Sequence, residues 1–150
     1  MDMFKKIEED FINLIRANAA LKEELELKGK VHYDEVKKLL LAILEVMDDF
    51  DRRFNNIGAR LEEADSQCKT WINYFRSTKK LLGIVIREQG VAEIETIGMK
   101  AIPGFHYVVD VVERKEMEDE TIVEELKKGY LWKNEVLRKA EVISVKNKKV

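Results

Sequence analysis

Apolar residues at Phe4, Ile7, Phe11, Leu14, Leu21 and Leu25, with Asn18 in the same series, recur in alternating steps of three and four. That spacing draws one narrow stripe along a helix. A narrow stripe cannot make a core until a second helix covers it, and the simplest cover is the same helix of another copy. Asn18 stands at an a-type position, where a buried amide is best satisfied by its own counterpart in a parallel, in-register pair. The other reading of Asn18 is an amide on a loosely packed, partly exposed seam.

Lys28, Gly29, Lys30 and His32 interrupt the stripe. Glycine in a helix interior costs about 1 kcal/mol relative to alanine, so a bend or fraying point is expected at Gly29. Beyond it the pattern broadens through Val36, Leu39, Leu40, Ile43, Leu44, Val46, Met47, Phe50, Phe54, Ile57 and Leu61. So wide a face needs more than one neighbour. Asn55-Asn56-Ile57-Gly58 reads as a turn, and a second amphipathic run follows with Ala64, Cys68, Trp71, Phe75, Thr78, Leu82 and Val85 in three-four spacing. Gln89-Gly90 ends it, since glycine supplies the left-handed cap that a helix terminus favours. Two helices per chain, doubled in a dimer, predict a four-helix bundle at the end of a coiled-coil stalk.

After Gly90 the pattern becomes strand-like, with runs at 91–97, 106–112 and 135–145 rich in β-branched residues and a turn at Pro103-Gly104. Thr121 to Lys128 is ambiguous on its own residues: its Glu, Leu and Lys favour helix, whereas Ile122, Val123 and the following Gly129-Tyr130 suit a strand pair. The closing Lys146 to Lys149 run reads as a solvated basic tail. The expected class is α+β, with a stalk helix over 1–35, a helical dimerisation region over 36–89 and a small all-β wing over 90–150.

The composition limits the chemistry. Lys and Arg number 27 against 29 Asp and Glu, a net charge of −2, which argues against a nucleic-acid partner held by phosphate neutralisation. Cys68 is the only cysteine and shares the apolar stripe of Trp71 and Phe75, so a buried, unreactive thiol is expected. His32 and His106 are the only histidines and lie far apart, which supplies neither a nucleophile–base pair nor a zinc site. The acidic groups lack the spacing of a calcium loop, and no glycine-rich phosphate loop is present. Asp48-Asp49 and Asp51-Arg52-Arg53 read as surface charge with i,i+3 and i,i+4 pairs. No apolar run approaches a membrane span or a signal peptide, so a soluble, cytoplasmic protein without cofactor, metal or bound nucleotide is expected.

Several strings resemble the GrpE family, the nucleotide exchange factors of DnaK-type heat-shock chaperones. They are Gly90-Val91 with Ile94, then Gly98, Pro103 and His106, the run Thr121 to Leu131, and Val136-Leu137-Arg138 with Ala140 and Val142. Ile43 to Arg52 is similar to the segment in which the family's long helix enters its bundle. The chain departs from the family pattern at Lys100, Ala101, Ile102, Tyr107, Glu135 and Lys139.

The resemblance implies a parallel homodimer with paired long helices, a four-helix bundle and a β-wing on each chain. It implies that Thr121 to Lys128 is mostly strand. The implied partner is the ATPase domain of a DnaK-type chaperone, whose nucleotide cleft is held open so that ADP leaves. Pro103, Phe105, His106, Tyr107, Lys127, Trp132 and Arg138 are the expected partner-facing residues, and Gly98, Gly129, Tyr130, Leu137 and Ala140 the ones expected to shape the wing. Phe4, Ile7, Phe11, Leu14, Asn18, Leu21, Leu25, Val36, Ile43, Met47, Phe50, Trp71 and Phe75 are expected at the dimer interface. The competing reading is a coiled-coil adaptor that uses the same scaffold on a non-chaperone partner.

Overall fold

The computed structural model describes residues 2–58, 61 and 65–147. Ala64, Lys148 and Lys149 lie outside the described residues. The class is α+β: among the described residues two helices, α1 (Asp2–Ile57) and α2 (Ser66–Glu88), precede six strands. The strands are β1 (Val91–Glu93), β2 (His106–Val112), β3 (Ile122–Lys127), β4 (Tyr130–Trp132), β5 (Glu135–Arg138) and β6 (Ala140–Val145). By internal contacts the chain divides into two units, residues 1–39 and 40–150.

The first unit is helix throughout its described length. The helix runs through Gly29 without a break, because the i to i+4 ladder needs only backbone, and a Cβ at Gly29 would meet nothing within 4 Å. The side chains of the narrow stripe stand in solvent, with Phe4 78% exposed and Phe11 62%. Among the described residues, nothing in this unit covers them.

The second unit begins with Leu40, Leu44 and Met47, which repeat at helical spacing and are buried within the single chain. Met47 was expected at a dimer interface, but its methyl group lies 3.7 Å from where a Cβ would stand on Gly83 of α2. Val36, Ile43 and Phe50 are half-buried. Contacts step forward along α1 and backward along α2: Met47 with Gly83, Asp51 with Lys79, Phe54 with Arg76. The two helices therefore form an antiparallel pair. Asp65 caps α2, its side chain accepting from the Cys68 N–H at 2.7 Å, and Gly90 at φ +82° follows its C-terminus. The outward face of α2 carries Trp71, Tyr74, Phe75 and Leu81, all exposed. Cys68 is exposed with them, contrary to the expected buried thiol, since this stripe faces away from α1.

The strands form two three-stranded sheets, ordered β1-β4-β5 and β2-β6-β3. β6 pairs parallel with β2 and antiparallel with β3. Ile122, Ala140 and Val142 are fully buried and pack with Ala101. Within Thr121 to Lys128 the expected strand runs over Ile122–Lys127, its alternation obscured because charged Glu125 and Lys127 lie on the half-buried face while Leu126 stands exposed. Three details differ from the sequence reading. The first run is strand only over Val91–Glu93: Ile94 adds one more in-register bond by donating to the Gly129 carbonyl at 2.9 Å, and Gly98 then turns the chain at φ +80°. The run 135–145 breaks at Lys139, since β5 and β6 belong to different sheets. Gly129 does not make a hairpin, because β3 and β4 also lie in different sheets. The hairpin is β4–β5, turned by Lys133 (φ 51°) and Asn134 (φ 66°), the two positive angles that a two-residue turn matched to strand twist requires.

Candidate partner-binding surface

Strand β5 alternates, so that Leu137 enters the wing core and Arg138 leaves it toward α1. There Arg138 grips Asp48 in a two-pronged pair, Nη1 to Oδ2 at 2.6 Å and Nη2 to Oδ1 at 2.8 Å. The same guanidinium donates to the Lys128 carbonyl from Nε at 3.1 Å and Nη2 at 2.9 Å. Its side chain is 14% exposed and that of Asp48 24%, so both charges are largely withdrawn from water. The Lys127 ammonium stands farther off, 3.6 Å from Asp48 and 3.7 Å from Glu45. Arg138 also lies over the ring of Tyr130, 5.5 Å from its centroid. Burial of Tyr130, aided by nearby Glu93, pushes its phenol above the ordinary tyrosine range.

Lys128 pairs with Glu93 across the sheet. Burial works against its charge, yet the hydrogen bond to Glu93 and the surrounding carboxylates outweigh it and raise its pKa. A second link to the helices comes from Trp132, which is 3% exposed and donates from Nε1 to the Gln89 carbonyl at 3.1 Å. The wing is thus held to α1 by an ion pair and to the end of α2 by a buried indole.

At the other end of the wing the loop before β2 is stiffened from within. His106 is buried, its Nδ1 accepting from the Ile102 N–H at 3.0 Å while Nε2 faces the Glu95 carbonyl at 3.4 Å. That arrangement calls for the tautomer protonated at Nε2. Lys139 closes the turn by donating to the Pro103 carbonyl at 2.7 Å. The result is a fixed loop and strand whose apolar side chains point to solvent: Ile97, Met99, Ile102, Phe105, Tyr107, Val109 and Val111 are all exposed. Side chains held this way lose little further freedom on binding.

Of the residues expected to face a partner, the structure leaves Pro103, Phe105 and Tyr107 on the surface. His106, Trp132 and Arg138 are committed inward, because each has polar groups that the fold itself satisfies. Lys127 is half-buried against α1. The expected wing-shaping set is placed in the wing, with Tyr130, Leu137 and Ala140 buried and Gly98 at positive φ. Sequence reasoning missed Asp48. Its neighbour Asp49 does pair locally, with Arg52 and with Arg53, whose hydrogen bonds hold the Asp49 carboxyl below the usual range. Asp48, however, stands four residues after Leu44 and eight after Leu40, on the buried line of the helix. An acid in that register was the available signal.

Among the described residues no group of three or more His, Cys, Asp or Glu is arranged to hold a metal ion, and no helix is long and apolar enough to cross a membrane.

Comparison with known proteins gives a consistent picture. The family model described as GrpE matches residues 2–146. A Protein GrpE of Chlorobium luteolum is 37% identical over 105 residues, covering 70% of this chain and 52% of the relative. One from Carboxydothermus hydrogenoformans is 32% identical over 133 residues, 89% of this chain and 62% of the relative. One from Prochlorococcus marinus is 28% identical over 141 residues, 94% of this chain and 55% of the relative. The chain spans about half the length of the curated relatives it matches.

Proposed function

This chain belongs to the GrpE family, and on that premise we propose that it is a nucleotide exchange factor that binds the ATPase domain of a DnaK-type chaperone and promotes ADP release. It does so as a homodimer. One chain leaves Phe4, Phe11, Leu14, Leu25, Trp71, Tyr74 and Phe75 in water, and a second copy buries both the α1 stripe and the outward face of α2. The observation that supports the reading is the wing: a loop and edge strand with an apolar exposed surface, anchored to the helix pair.

The physical mechanism is linkage. A partner with higher affinity for the open nucleotide cleft shifts the chaperone toward the open state, and nucleotide affinity must fall by the same factor. The pair need only present a stiff, correctly placed surface. Phosphoryl chemistry stays with the chaperone.

Stopped-flow release of fluorescent ADP from a DnaK-type chaperone tests the proposal. The expected result is a release rate that rises with concentration of this protein to a plateau well above the unassisted rate. An unchanged rate at saturating concentration, together with a stable complex with a different protein, would favour the adaptor reading.

A further inference from the structure

We propose that the Asp48–Arg138 pair is a positioning clamp that sets the attitude of the wing on α1, and through it the affinity for the chaperone. The second clause rests on the exchange-factor reading. The first does not.

The case begins with what Arg138 touches. Its three nitrogens make four hydrogen bonds, two to the carboxylate of Asp48 and two to the Lys128 carbonyl, with lengths between 2.6 and 3.1 Å. Three pieces of the fold meet in one side chain: α1 through Asp48, β5 through Arg138 itself, and the junction between β3 and β4 through Lys128. A planar guanidinium fixes direction as well as distance, which a lysine ammonium cannot. Tyr130 lies beneath it and limits sideways movement.

The clamp is not what folds the wing. The fully buried cluster of Ile122, Ala140 and Val142 contains neither partner, and Arg138 enters the β4–β5 ladder, opposite Tyr130, through its main chain and not through the guanidinium. The other tether, Trp132 on the Gln89 carbonyl, lies beside the short link between α2 and β1, a place where the wing remains attached but can pivot. The nearby Lys127 contacts with Asp48 and Glu45, at 3.6 and 3.7 Å, exceed hydrogen-bond length and set no direction. Loss of the clamp therefore leaves a folded wing with a wider range of attitudes. The affinity of a surface populated in its competent attitude only part of the time falls by that fraction.

The test uses the full-length chain with Cys68→Ser, spin-labelled at Ala42→Cys on α1 and Lys115→Cys on the wing, and diluted with unlabelled copies so that only distances within one chain are read. The parent is expected to give one narrow distance distribution. Asp48→Asn and Arg138→Lys are expected to broaden it while the circular dichroism of the wing is kept. In ADP release the same variants should raise the half-saturating concentration about tenfold at an unchanged plateau rate. Arg138→Met serves as a third variant, and Arg138→Lys, which keeps the charge and the stem, decides the matter if Arg138→Met does not fold. Distributions as narrow as the parent's in Asp48→Asn and Arg138→Lys would overturn the clamp. If the parent itself fails to speed ADP release, the exchange reading falls and the distance measurement still decides the clamp.

Discussion

At the scale of single residues, Gly129 and Tyr130 show how one site serves two physical demands. A Cβ on Gly129 would stand 2.5 Å from the Ala140 amide nitrogen and 2.9 Å from its Cβ, so glycine is required by close approach and not by a positive φ. Gly129→Ala should therefore cost about 1–3 kcal/mol, the range for forcing volume into a packed site, read as a lower urea midpoint for the wing. An unchanged midpoint would mean that the crossing of the two strands can give way. Tyr130 is the pH-sensitive member. Its phenol ionises near the ordinary 10.0 in the unfolded chain but at higher pH in the folded one. Above that ordinary value the unfolded state binds fewer protons than the folded state, so stability falls as pH rises, and it is undiminished below it. Tyr130→Phe should remove this part of the alkaline loss, so that the difference in stability between parent and variant shrinks or changes sign between pH 9 and 11, about the ordinary tyrosine pKa.

At the scale of elements, helices were more legible in the sequence than strand partners. Three-four spacing depends only on neighbours along the chain, and it located both helices and the glycine after α2. The strands were found as apolar runs, but their assignment to two sheets was not, because register and sheet membership are decided by contacts between distant segments. Lys133-Asn134 carried no glycine to announce its turn, and at Gly129-Tyr130, which suit a strand pair, the chain crosses between sheets. The same limit hid the clamp. Charges at Asp48 and Arg138 stand 90 positions apart, and nothing local distinguishes an acid that meets a distant arginine from one that pairs with its own helix. Two predictions belong here. Gly29 is helical with open space around it, so Gly29→Ala should stabilise α1 by about 1 kcal/mol per chain, seen as a higher helix melting temperature. Asp65→Ala removes the side chain that caps α2 and should cost about 1 kcal/mol, checked by urea unfolding.

At the scale of the whole molecule, the account turns on surfaces that one chain leaves open. Phe11 at 62% and Trp71 at 57% exposed are large apolar side chains on two separate helices, and a monomer in water gains nothing by displaying them. The proposed pairing would bury them and leave the wing's apolar edge for the proposed chaperone partner. Replacing Phe11 and Leu14 by Asp places charge in the α1 seam, and replacing Trp71 and Phe75 by Asp does so on the α2 face. Either pair of changes should abolish the dimer or weaken it by more than tenfold, since an unpaired buried charge costs several kcal/mol. The most direct measurement is the molar mass in solution by light scattering across micromolar concentrations. Twice the chain mass is expected for the parent, with the mass of one chain for the charged variants. A folded parent that stays at the mass of a single chain throughout that range would contradict the account.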